Sequence, residues 1–504
     1  MKDETTHWSV SLSRSGLLVC ALGFVALYLG VAFFRIGYPF ELEWLEGGVL
    51  DHIRRILAGE KLYVEPSLEF VPFVYTPLYY YLSAAVSRLT GVGFVSLRAV
   101  SICASAGCFF VIFLYVLRET RALLPSIAAA GLFAASFRAG GAWFDLARVD
   151  SLFLVTLLGA VYLIRFHVSA RSHVLAGILI VLSFLTKQTA LVMAVPLAAA
   201  CLVRNGRTGL YFAATVIVLV GAGTVLFDSI YDGWYTYYVF ELPRSHSFES
   251  EMILRFWTKN LLVTMPIALF FSAMYLFVAV KGDNREGGIS VALIAVALIG
   301  GSWVSSLHSG SYDNVILPAY AGLSILFGAA LNAIIETLYD MGAKKTVSAQ
   351  TILYLVCIGQ FGLLAYNPSD QIPSEEDKTA GEALVKRISK IEGDVLIPRH
   401  GYLSRMAGKK GCAHEMAMND VLRGGVKESG AGIKGQILTA LEEQKFGAII
   451  VNYNWLTEDI KRYYRKAPGR IFESEDVFWP VTGLRTRPEH LYLPQSKDSL
   501  IKHR

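Results

Sequence analysis

The chain has 504 residues, of which 54% are hydrophobic and only 17% are charged, whereas roughly a quarter of the residues in a typical soluble protein carry a charge. The net charge of +5 comes from basic residues dispersed among short loops, and this dispersal argues against a nucleic-acid-binding protein. A chain of this composition is instead expected to be embedded in a lipid bilayer.

Twelve apolar segments recur before residue 367, and many approach the roughly 17–25 residues that a helix needs to cross a bilayer. In lipid they must be helical, because no water is available to satisfy a free backbone amide or carbonyl. The sequence therefore predicts a polytopic α-helical membrane domain over residues 1–366. The twelve segments are 15–35, 74–90, 97–117, 122–137, 150–166, 173–186, 189–203, 208–227, 259–280, 288–306, 314–335 and 348–366.

The basic loops predict how these segments cross the bilayer, because short Lys/Arg-rich loops favour the cytoplasm. The positions of these basic loops agree with a cytoplasmic N-terminus only if one of the early segments does not cross the bilayer. Segment 74–90 is short, has a proline near its start and is rich in tyrosine, so we interpret it as a juxtamembrane helix on the outer face. This leaves eleven spans, with the C-terminus outside a plasma or inner membrane. The basic loops are 118–121, 165–171, 204–207, 281–285 and 344–345.

The densest polar signal is an acidic loop over residues 39–48, where Glu43 and Glu46 lie beside a tryptophan and a Gly-Gly pair. Because they are three residues apart, the two carboxylates would share one face of a helix. A solvated face on an interfacial helix would also explain them. Partial desolvation at the bilayer boundary, however, raises a carboxyl pKa towards the range of a general base. Residues 49–57 have the apolar spacing of a helix lying along the membrane surface.

Two further polar signals follow in the chain. Asp150 begins the fourth predicted span, where an aspartate is a good N-cap, and Arg148 would pair with Asp145 or Asp150. Lys187 lies between two apolar segments. A lysine at membrane depth is costly and therefore indicates function, although snorkelling to the surface is the alternative.

Weaker signals come from three residues further along. Arg244 lies in the long loop 228–258, where it could contact a phosphate or belong to an ordinary loop surface. Asp313 and Asn314 open the tenth predicted span, where they could line a sugar pocket. Capping of the helix by Asp313 is an equal alternative.

From residue 367 the composition changes, and it predicts a soluble α/β domain over residues 367–504. Short apolar runs bounded by turn-forming residues are typical of buried strands, and amphipathic periodicity is typical of helices. The polar residues here form no recognisable metal-binding spacing, so we expect a scaffold or an acceptor-contacting role. The predicted elements are strands 394–398 and 446–451 and helices 380–391, 436–444 and 457–466.

The acidic loop, the helix end Leu57-Ala-Gly59, the pair Leu62-Tyr63 and the segment Tyr75-Thr-Pro-Leu-Tyr together resemble the first outer loop of GT-C-type glycosyltransferases. That group includes the protein O-mannosyltransferases and the aminoarabinose transferase that modifies lipid A. The resemblance extends over roughly residues 15–366. It implies an integral membrane enzyme that transfers a sugar, with inversion, from a polyprenyl-phosphate-linked donor to an acceptor on the outer face.

The resemblance also implies roles for single residues. The family's base comes from an Asp-Glu pair, but Leu45-Glu46 occupies the matching place here, so the base is either Glu46 or Glu43, which would preserve a spaced carboxylate pair. Asp150 matches an aspartate that helps to bind a divalent cation or orients the donor phosphate. Lys187 matches a lysine that holds this phosphate. Additional cavity residues would be Arg148, Asp313 and Asn314, with Arg244 as a second phosphate contact.

The sequence leaves the acceptor open, and a glycan, a lipid or a protein would each serve. No cofactor is implied beyond the divalent cation. Two functions from other classes compete: a transporter or flippase of lipid-linked saccharides, and a non-catalytic scaffold for envelope assembly. Transporters carry ionisable residues near the midplane and show internal repeats, whereas here the polar residues cluster at the predicted outer boundary and no repeat is visible.

Overall fold

The computed structural model describes residues 2–340, 343–424, 427–452 and 455–496. Each of the twelve predicted apolar segments is mostly helical. The first helices are α1 (Lys2–Ile36), α2 (Glu46–Leu57), α3 (Leu78–Thr90), α4 (Phe94–Thr120), α5 (Leu123–Ala135), α6 (Asp150–Phe166), α7 (Ala170–Phe184), α8 (Ala190–Arg204), α9 (Gly206–Ile230) and α10 (Trp234–Thr236). The later helices are α11 (Met252–Arg255), α12 (Pro266–Lys281), α13 (Arg285–Ala295), α14 (Gly301–Ser306), α15 (Leu317–Asp340), α16 (Ala343–Leu363), α17 (Glu375–Ser389), α18 (Gly401–Met406), α19 (Glu415–Arg423), α20 (Lys427–Glu442) and α21 (Thr457–Tyr463). π-helical segments occur at Tyr237–Glu241, Phe256–Val263 and Val296–Gly300, and 3₁₀ turns at Leu242–Ser245, Asp313–Ile316 and Pro368–Gln371.

Five helical segments of the described chain are long and apolar enough to cross a bilayer, and the chain is an integral membrane protein. Two bent pairs of helices, with angles of 102° and 47°, would raise this number to seven. Helices α5, α7 and α8 have only 13, 15 and 15 residues. Their length of about 20–23 Å is less than the roughly 30 Å of a hydrocarbon core, so the eleven spans stay a prediction. The five segments are Trp8–Ile36, Phe94–Thr120, Gly206–Ile230, Arg285–Ser306 and Asp313–Asp340.

Helix α3 covers most of the segment that we interpret as juxtamembrane. It has 13 residues and packs between α2 and α4, where the hydroxyl of Tyr79 donates to the carbonyl of Leu97 at 2.9 Å. A helix of about 20 Å is too short to cross the bilayer alone. The side chains of Lys344 and Lys345, which the charge argument also uses, lie outside the described residues.

The C-terminal part contains a four-stranded sheet in the order β1-β2-β4-β3. The pair β1/β2 is parallel, and the other two pairs are antiparallel. The predicted helix 457–466 is wrong over its last three residues: α21 ends at Tyr463, and the next residues pair with β4. Helical periodicity carries no information about this long-range pairing. The strands are β1 (Asp394–Leu396), β2 (Phe446–Val451), β3 (Tyr464–Lys466) and β4 (His490–Pro494).

The C-terminal part is attached directly to the acidic loop and to the segment that follows α2. The imidazole Nδ1 of His400 lies 2.6 Å from Glu41 Oε2. The amide of Thr482 donates to the carbonyl of Leu42 at 3.2 Å, and the amide of Ala413 donates to the carbonyl of Leu68 at 2.9 Å. Several contacts therefore join the chain before residue 367 to the chain after it, and the two-domain division stays a prediction.

Candidate active site

The acidic loop folds back on the N-terminus of α2, which begins at Glu46. Glu41 Oε1 accepts a hydrogen bond from the first-turn amide of Gly47 at 2.9 Å. A carboxylate is favourable here, because a helix N-terminus has free amides and a partial positive charge. Glu43 lies before the helix and pairs with Thr482 in an isolated β-bridge. The expectation that Glu43 and Glu46 share one helix face is therefore wrong.

Glu46 is completely buried, and each of its carboxylate oxygens has two donors. Arg98 of α4 donates from Nε to Oε1 at 3.1 Å and from Nη2 to Oε2 at 2.7 Å. The amides of Ala147 and Leu42 donate to Oε1 and Oε2, each at 2.6 Å. Burial alone would raise the pKa of Glu46, but Arg98 and the amides hold that pKa below its ordinary value. Glu46 is therefore a fixed carboxylate that joins α2, α4 and the loop before α6.

Glu43 is buried to the same extent, but only half of its carboxylate is bonded. Oε2 accepts from Arg148 Nη1 at 2.8 Å and from the amide of Leu45 at 3.2 Å. Oε1 has no hydrogen-bond partner among the described residues. Burial raises the pKa of Glu43 to about 7, against the opposing charge of Arg148. A carboxylate with this pKa and a free oxygen can accept a proton from a hydroxyl placed beside it.

Arg148 links Glu43 to two aromatic residues. Its Nη2 donates to the hydroxyl of Tyr75 at 2.9 Å. Its guanidinium carbon lies 5.0 Å from the ring centre of Trp143 and 5.4 Å from that of Tyr75. Both positions fit a cation–π interaction, which stabilises a charge that burial would otherwise destabilise. The Nε of Arg148 has no hydrogen-bond partner in the described part of the chain.

The loop before α6 differs from its prediction in two respects. Arg148 forms its ion pair with Glu43 rather than with an aspartate, and Asp145 instead pairs with Arg35 at 3.1 Å. Asp150 is the first residue of α6 and does not act as its N-cap, a position that Val149 occupies. The N-cap explanation of Asp150 is therefore wrong, and its carboxylate has other partners.

Asp150 binds two residues from distant parts of the chain. Its Oδ1 accepts from Lys187 Nζ at 2.7 Å and from Asn314 Nδ2 at 2.8 Å. Lys187 lies in the turn between α7 and α8, and Asn314 lies in the 3₁₀ turn before α15. All three side chains are buried, and Oδ2 of Asp150 has no hydrogen-bond partner in the described chain. Because the ammonium of Lys187 points into the protein, the snorkelling alternative is wrong.

The two ion pairs form one group of residues. Arg148 and Asp150 are two residues apart and interact electrostatically, which connects Glu43–Arg148 with Asp150–Lys187. The structure thus brings together Glu43, Arg148, Asp150, Lys187 and Asn314, which we call the polar cluster. A buried group with two ion pairs and free polar atoms on Glu43, Arg148 and Asp150 is suited to binding a charged, hydroxyl-bearing ligand.

Two predicted site residues lie apart from the polar cluster. Arg244 is exposed in its 3₁₀ turn, and this turn packs against α19 of the C-terminal part. Asp313 is exposed as well and lines a neighbouring cavity of about 410 Å³. No hydrogen bond joins either side chain to the polar cluster within the described residues.

Sequence reasoning missed Arg98 and Arg35, the two arginines that hold the acidic loop and the loop before α6. Both lie in or at the end of apolar helices and are completely buried. A charge in such a segment requires a partner, so asking which carboxylate neutralises each arginine would have pointed to Glu46 as the partner of Arg98.

The polar cluster does not favour the predicted divalent cation at Asp150. The two groups on Asp150 Oδ1 are an ammonium and an amide NH₂, both donors, whereas a hard cation requires several oxygen ligands. In the described residues, no group of three or more His, Cys, Asp or Glu side chains is arranged to hold a metal. The cation stays a prediction, and no step proposed below depends on it.

The fold is that of GT-C-type glycosyltransferases. ArnT from Cupriavidus metallidurans, solved bound to undecaprenyl phosphate, is 11% identical, with a TM-score of 0.61 over 94% of this chain and 98% of ArnT. The archaeal oligosaccharyltransferase AglB from Archaeoglobus fulgidus, solved with an inhibitory peptide and a dolichol-phosphate, is 13% identical. Its TM-score is 0.52 over 87% of this chain and 69% of AglB. No curated protein matches by sequence.

The model of glycosyltransferase family 87 matches residues 73–327, just over half of the chain. The chain therefore belongs to glycosyltransferase family 87, a GT-C-type family. The matched range contains Arg148, Asp150 and Lys187 and begins after Glu43. Membership of this family favours a sugar-transferring enzyme over a transporter or a scaffold.

Proposed function

We propose that this glycosyltransferase moves a sugar from a polyprenyl-phosphate-linked donor to a hydroxyl of its acceptor, with inversion at the anomeric carbon. The observation that carries the proposal is the buried, unpartnered Oε1 of Glu43 beside the cationic Arg148. The donor class is supported by the fold relatives, which were solved with undecaprenyl phosphate and dolichol-phosphate.

Glu43 is a better base than Glu46 on physical grounds. A base must have a free lone pair within reach of the hydroxyl and a pKa near the working pH. Glu43 has both, whereas each oxygen of Glu46 is occupied by two donors and its pKa is lowered. Protonating Glu46 would also leave Arg98 without its counter-charge in a buried site.

Arg148 and Lys187 would bind the donor phosphate. Arg148 has a free Nε, and the ammonium of Lys187 has three donors, of which Asp150 takes one. Charge-assisted hydrogen bonds are the strongest available to a phosphate, and burial strengthens them further. The carboxylate of Asp150 would keep Lys187 oriented and partly neutralised before the donor arrives.

The step balances as a single displacement. The acceptor hydroxyl gives its proton to Glu43 Oε1 while its oxygen attacks the anomeric carbon, and the bond from this carbon to the phosphate oxygen breaks. The phosphate leaves with the bonding electrons, and Arg148 and Lys187 stabilise the charge that develops on it. Glu43 then returns its proton to solvent.

The test uses the full chain in lipid nanodiscs with a panel of polyprenyl-phosphate hexoses and pentoses and a mixture of glycan, lipid and peptide acceptors. We expect release of polyprenyl phosphate that depends on one donor and one acceptor. Absence of release with every donor, in a preparation that still binds polyprenyl phosphate, would overturn the proposal.

The reaction is proposed to take place on the outer face, in line with an eleven-span topology and an external segment 367–504. A tag inserted after Tyr366 should then be accessible to a membrane-impermeant label in intact cells. A tag at residues 118–121 should be accessible only after permeabilisation. Protection of the first tag would place the polar cluster on the cytoplasmic side.

A further inference from the structure

The last long loop of the C-terminal part lies directly against the acidic loop. We call its residues Trp479–Arg485 the strap. The amide of Thr482 donates to Leu42, and its hydroxyl donates to the carbonyl of Gly141, so the strap bridges the acidic loop and the loop before α6. The strap lies outside the range that the family model matches.

Gly483 of the strap covers the free side of Glu43. A Cβ at this position would lie 2.9 Å from Glu43 Cγ and 3.0 Å from Oε1, which is closer than packed atoms allow. Its φ of +75° is also in the left-handed region, where a side chain is disfavoured. A side chain at this position would therefore have to displace Glu43, and glycine lets the backbone of the strap lie against the carboxylate.

On that far side lies a cavity of about 410 Å³, which we call the near cavity. The strap forms one wall, and Arg138, Trp143, Tyr312 and Asp313 form the other. Trp143 is the ring on which Arg148 lies, so the near cavity is one residue layer from the polar cluster. Its volume lies within the roughly 300–1,000 Å³ that is usual for small-ligand sites.

A second cavity of about 410 Å³, the far cavity, lies beyond the strap within the C-terminal part. Trp479 and Arg485 line both cavities, so these two residues form a wall that the cavities share. The guanidinium carbons of Arg485 and Arg487 lie 4.6 Å and 4.2 Å from the ring centre of Trp479. The junction between the cavities is thus an aromatic ring with cations against it.

We propose that the near and far cavities form one acceptor site for a neutral glycan of at least two sugars. The terminal sugar would occupy the near cavity, with a hydroxyl directed towards Glu43, and the following sugar would pass Trp479 into the far cavity. This assignment rests on the proposed function and names its acceptor class. For the acceptor hydroxyl to reach Glu43, Gly483 would have to move away from the carboxylate.

The lining chemistry supports a glycan over the other acceptor classes. A sugar ring combines apolar C–H faces, which pack on aromatic rings, with hydroxyls that need both donors and acceptors. Three aromatic residues line the near cavity, of which Tyr312 and Trp479 are partly exposed and Trp143 is buried, and charged residues of both signs line both cavities. The far cavity balances Arg470, Arg485 and Arg487 against Glu475, Asp476 and Glu489, which favours a neutral rather than a polyanionic chain.

The experiment measures binding of the full chain in nanodiscs to immobilised neutral glycans of one to four sugars. We expect glycans of two or more sugars to bind more tightly than their single-sugar counterparts. Trp479→Ala should weaken binding of the longer glycans about thirtyfold, since truncating a central tryptophan of a binding site costs roughly 2 kcal/mol or more. The matched control is Trp8→Ala, which removes an exposed tryptophan of α1 and should change nothing.

Each result decides the assignment. Unchanged glycan affinity in Trp479→Ala, equal affinity for one and two sugars, or no glycan bound at all would overturn it. Binding of polyprenyl phosphate shows that a variant is folded. If Trp479→Ala no longer binds polyprenyl phosphate, the glycan affinity of Arg485→Ala is compared with that of the wild type instead. Glu43→Gln should lower transfer by about 10²–10⁴-fold while keeping glycan binding. Binding without transfer in the wild type would refute the proposed function alone, and transfer with an unchanged acceptor KM in Trp479→Ala would refute the glycan site alone.

Discussion

Glu43 and Glu46 lie three residues apart, are equally buried and are each paired with one arginine, yet their pKa values shift in opposite directions. The difference lies in the number of donors. Glu46 has four contacts from donors over its two oxygens, whereas Glu43 has two, both on one oxygen. Burial and an ion pair therefore do not by themselves decide the direction in which the pKa of a carboxylate shifts, which depends also on the number of donors to its oxygens.

The sharpest test of this comparison is the rate of transfer in two matched variants. Glu43→Gln keeps the shape of the side chain and removes proton acceptance, so transfer should fall by about 10²–10⁴-fold. Glu46→Gln should lose much less activity per folded molecule. Transfer is measured as product formed per molecule able to bind polyprenyl phosphate. Near-wild-type transfer in Glu43→Gln would end its assignment as base.

The same two variants should rank in the reverse order for stability. A glutamine NH₂ fits at position 43, where Oε1 faces no donor, but at position 46 it must meet a donor and leaves Arg98 buried without its counter-charge. Glu46→Gln should therefore lower the free energy of unfolding by about 3–5 kcal/mol. Melting temperatures in nanodiscs report the difference. Equal melting temperatures for the two variants would contradict the donor-count explanation.

A smaller effect is expected on donor affinity when Lys187, a proposed phosphate contact of the polar cluster, is changed. Lys187→Met keeps the packing stem but removes one charge-assisted contact, worth roughly 1.5–3 kcal/mol, so donor affinity should fall about ten- to a hundredfold. Lys187→Arg should restore it only in part, because a planar fork differs from a compact ammonium. The dissociation constant of polyprenyl phosphate is the measurement. An unchanged value would leave Arg148 as the proposed phosphate contact in place of Lys187.

The smallest expected effect is the dependence of transfer on pH, measured in the wild type and in one variant. With its pKa raised to about 7, Glu43 is protonated below that pH and cannot accept a proton. Transfer should therefore rise between pH 6 and 8 and fall about tenfold for each unit further into acid. Arg148→Met removes the charge that opposes protonation, so the midpoint should move to higher pH. A flat profile from pH 5.5 to 8 in the wild type would argue against Glu43.

The sequence predicts the helical membrane part and two of the strands, because apolar length and periodicity are local properties. It also names Glu43, Arg148, Asp150, Lys187 and Asn314 as candidate site residues, and the structure brings these five together, although their roles stay a prediction. It cannot decide between Glu43 and Glu46, since their difference depends on Arg98 and on backbone amides brought together by the fold.

The partners of the candidate residues were the least predictable feature. Arg148 has two aspartates within three residues, but folding places Glu43, 105 positions away in the chain, against it. Strands β3 and β4 and the strap were missed for a related reason, because each depends on contacts with distant segments. The crossing of the shorter helices also stays a prediction, because α5, α7 and α8 are shorter than the hydrocarbon core is thick.

The contacts of Thr482 and His400 with the acidic loop have a practical consequence for cutting the protein into pieces. A fragment that ends near residue 366 would keep the membrane helices but lose the hydrogen bonds that hold Glu41 and Leu42, which directly precede the proposed base Glu43. Such a fragment should insert into membranes and still be inert, and adding residues 367–504 as a separate polypeptide should restore transfer if the two pieces reassociate. Proteolytic nicking of the loop before β4 should for the same reason silence the enzyme while every membrane helix stays intact.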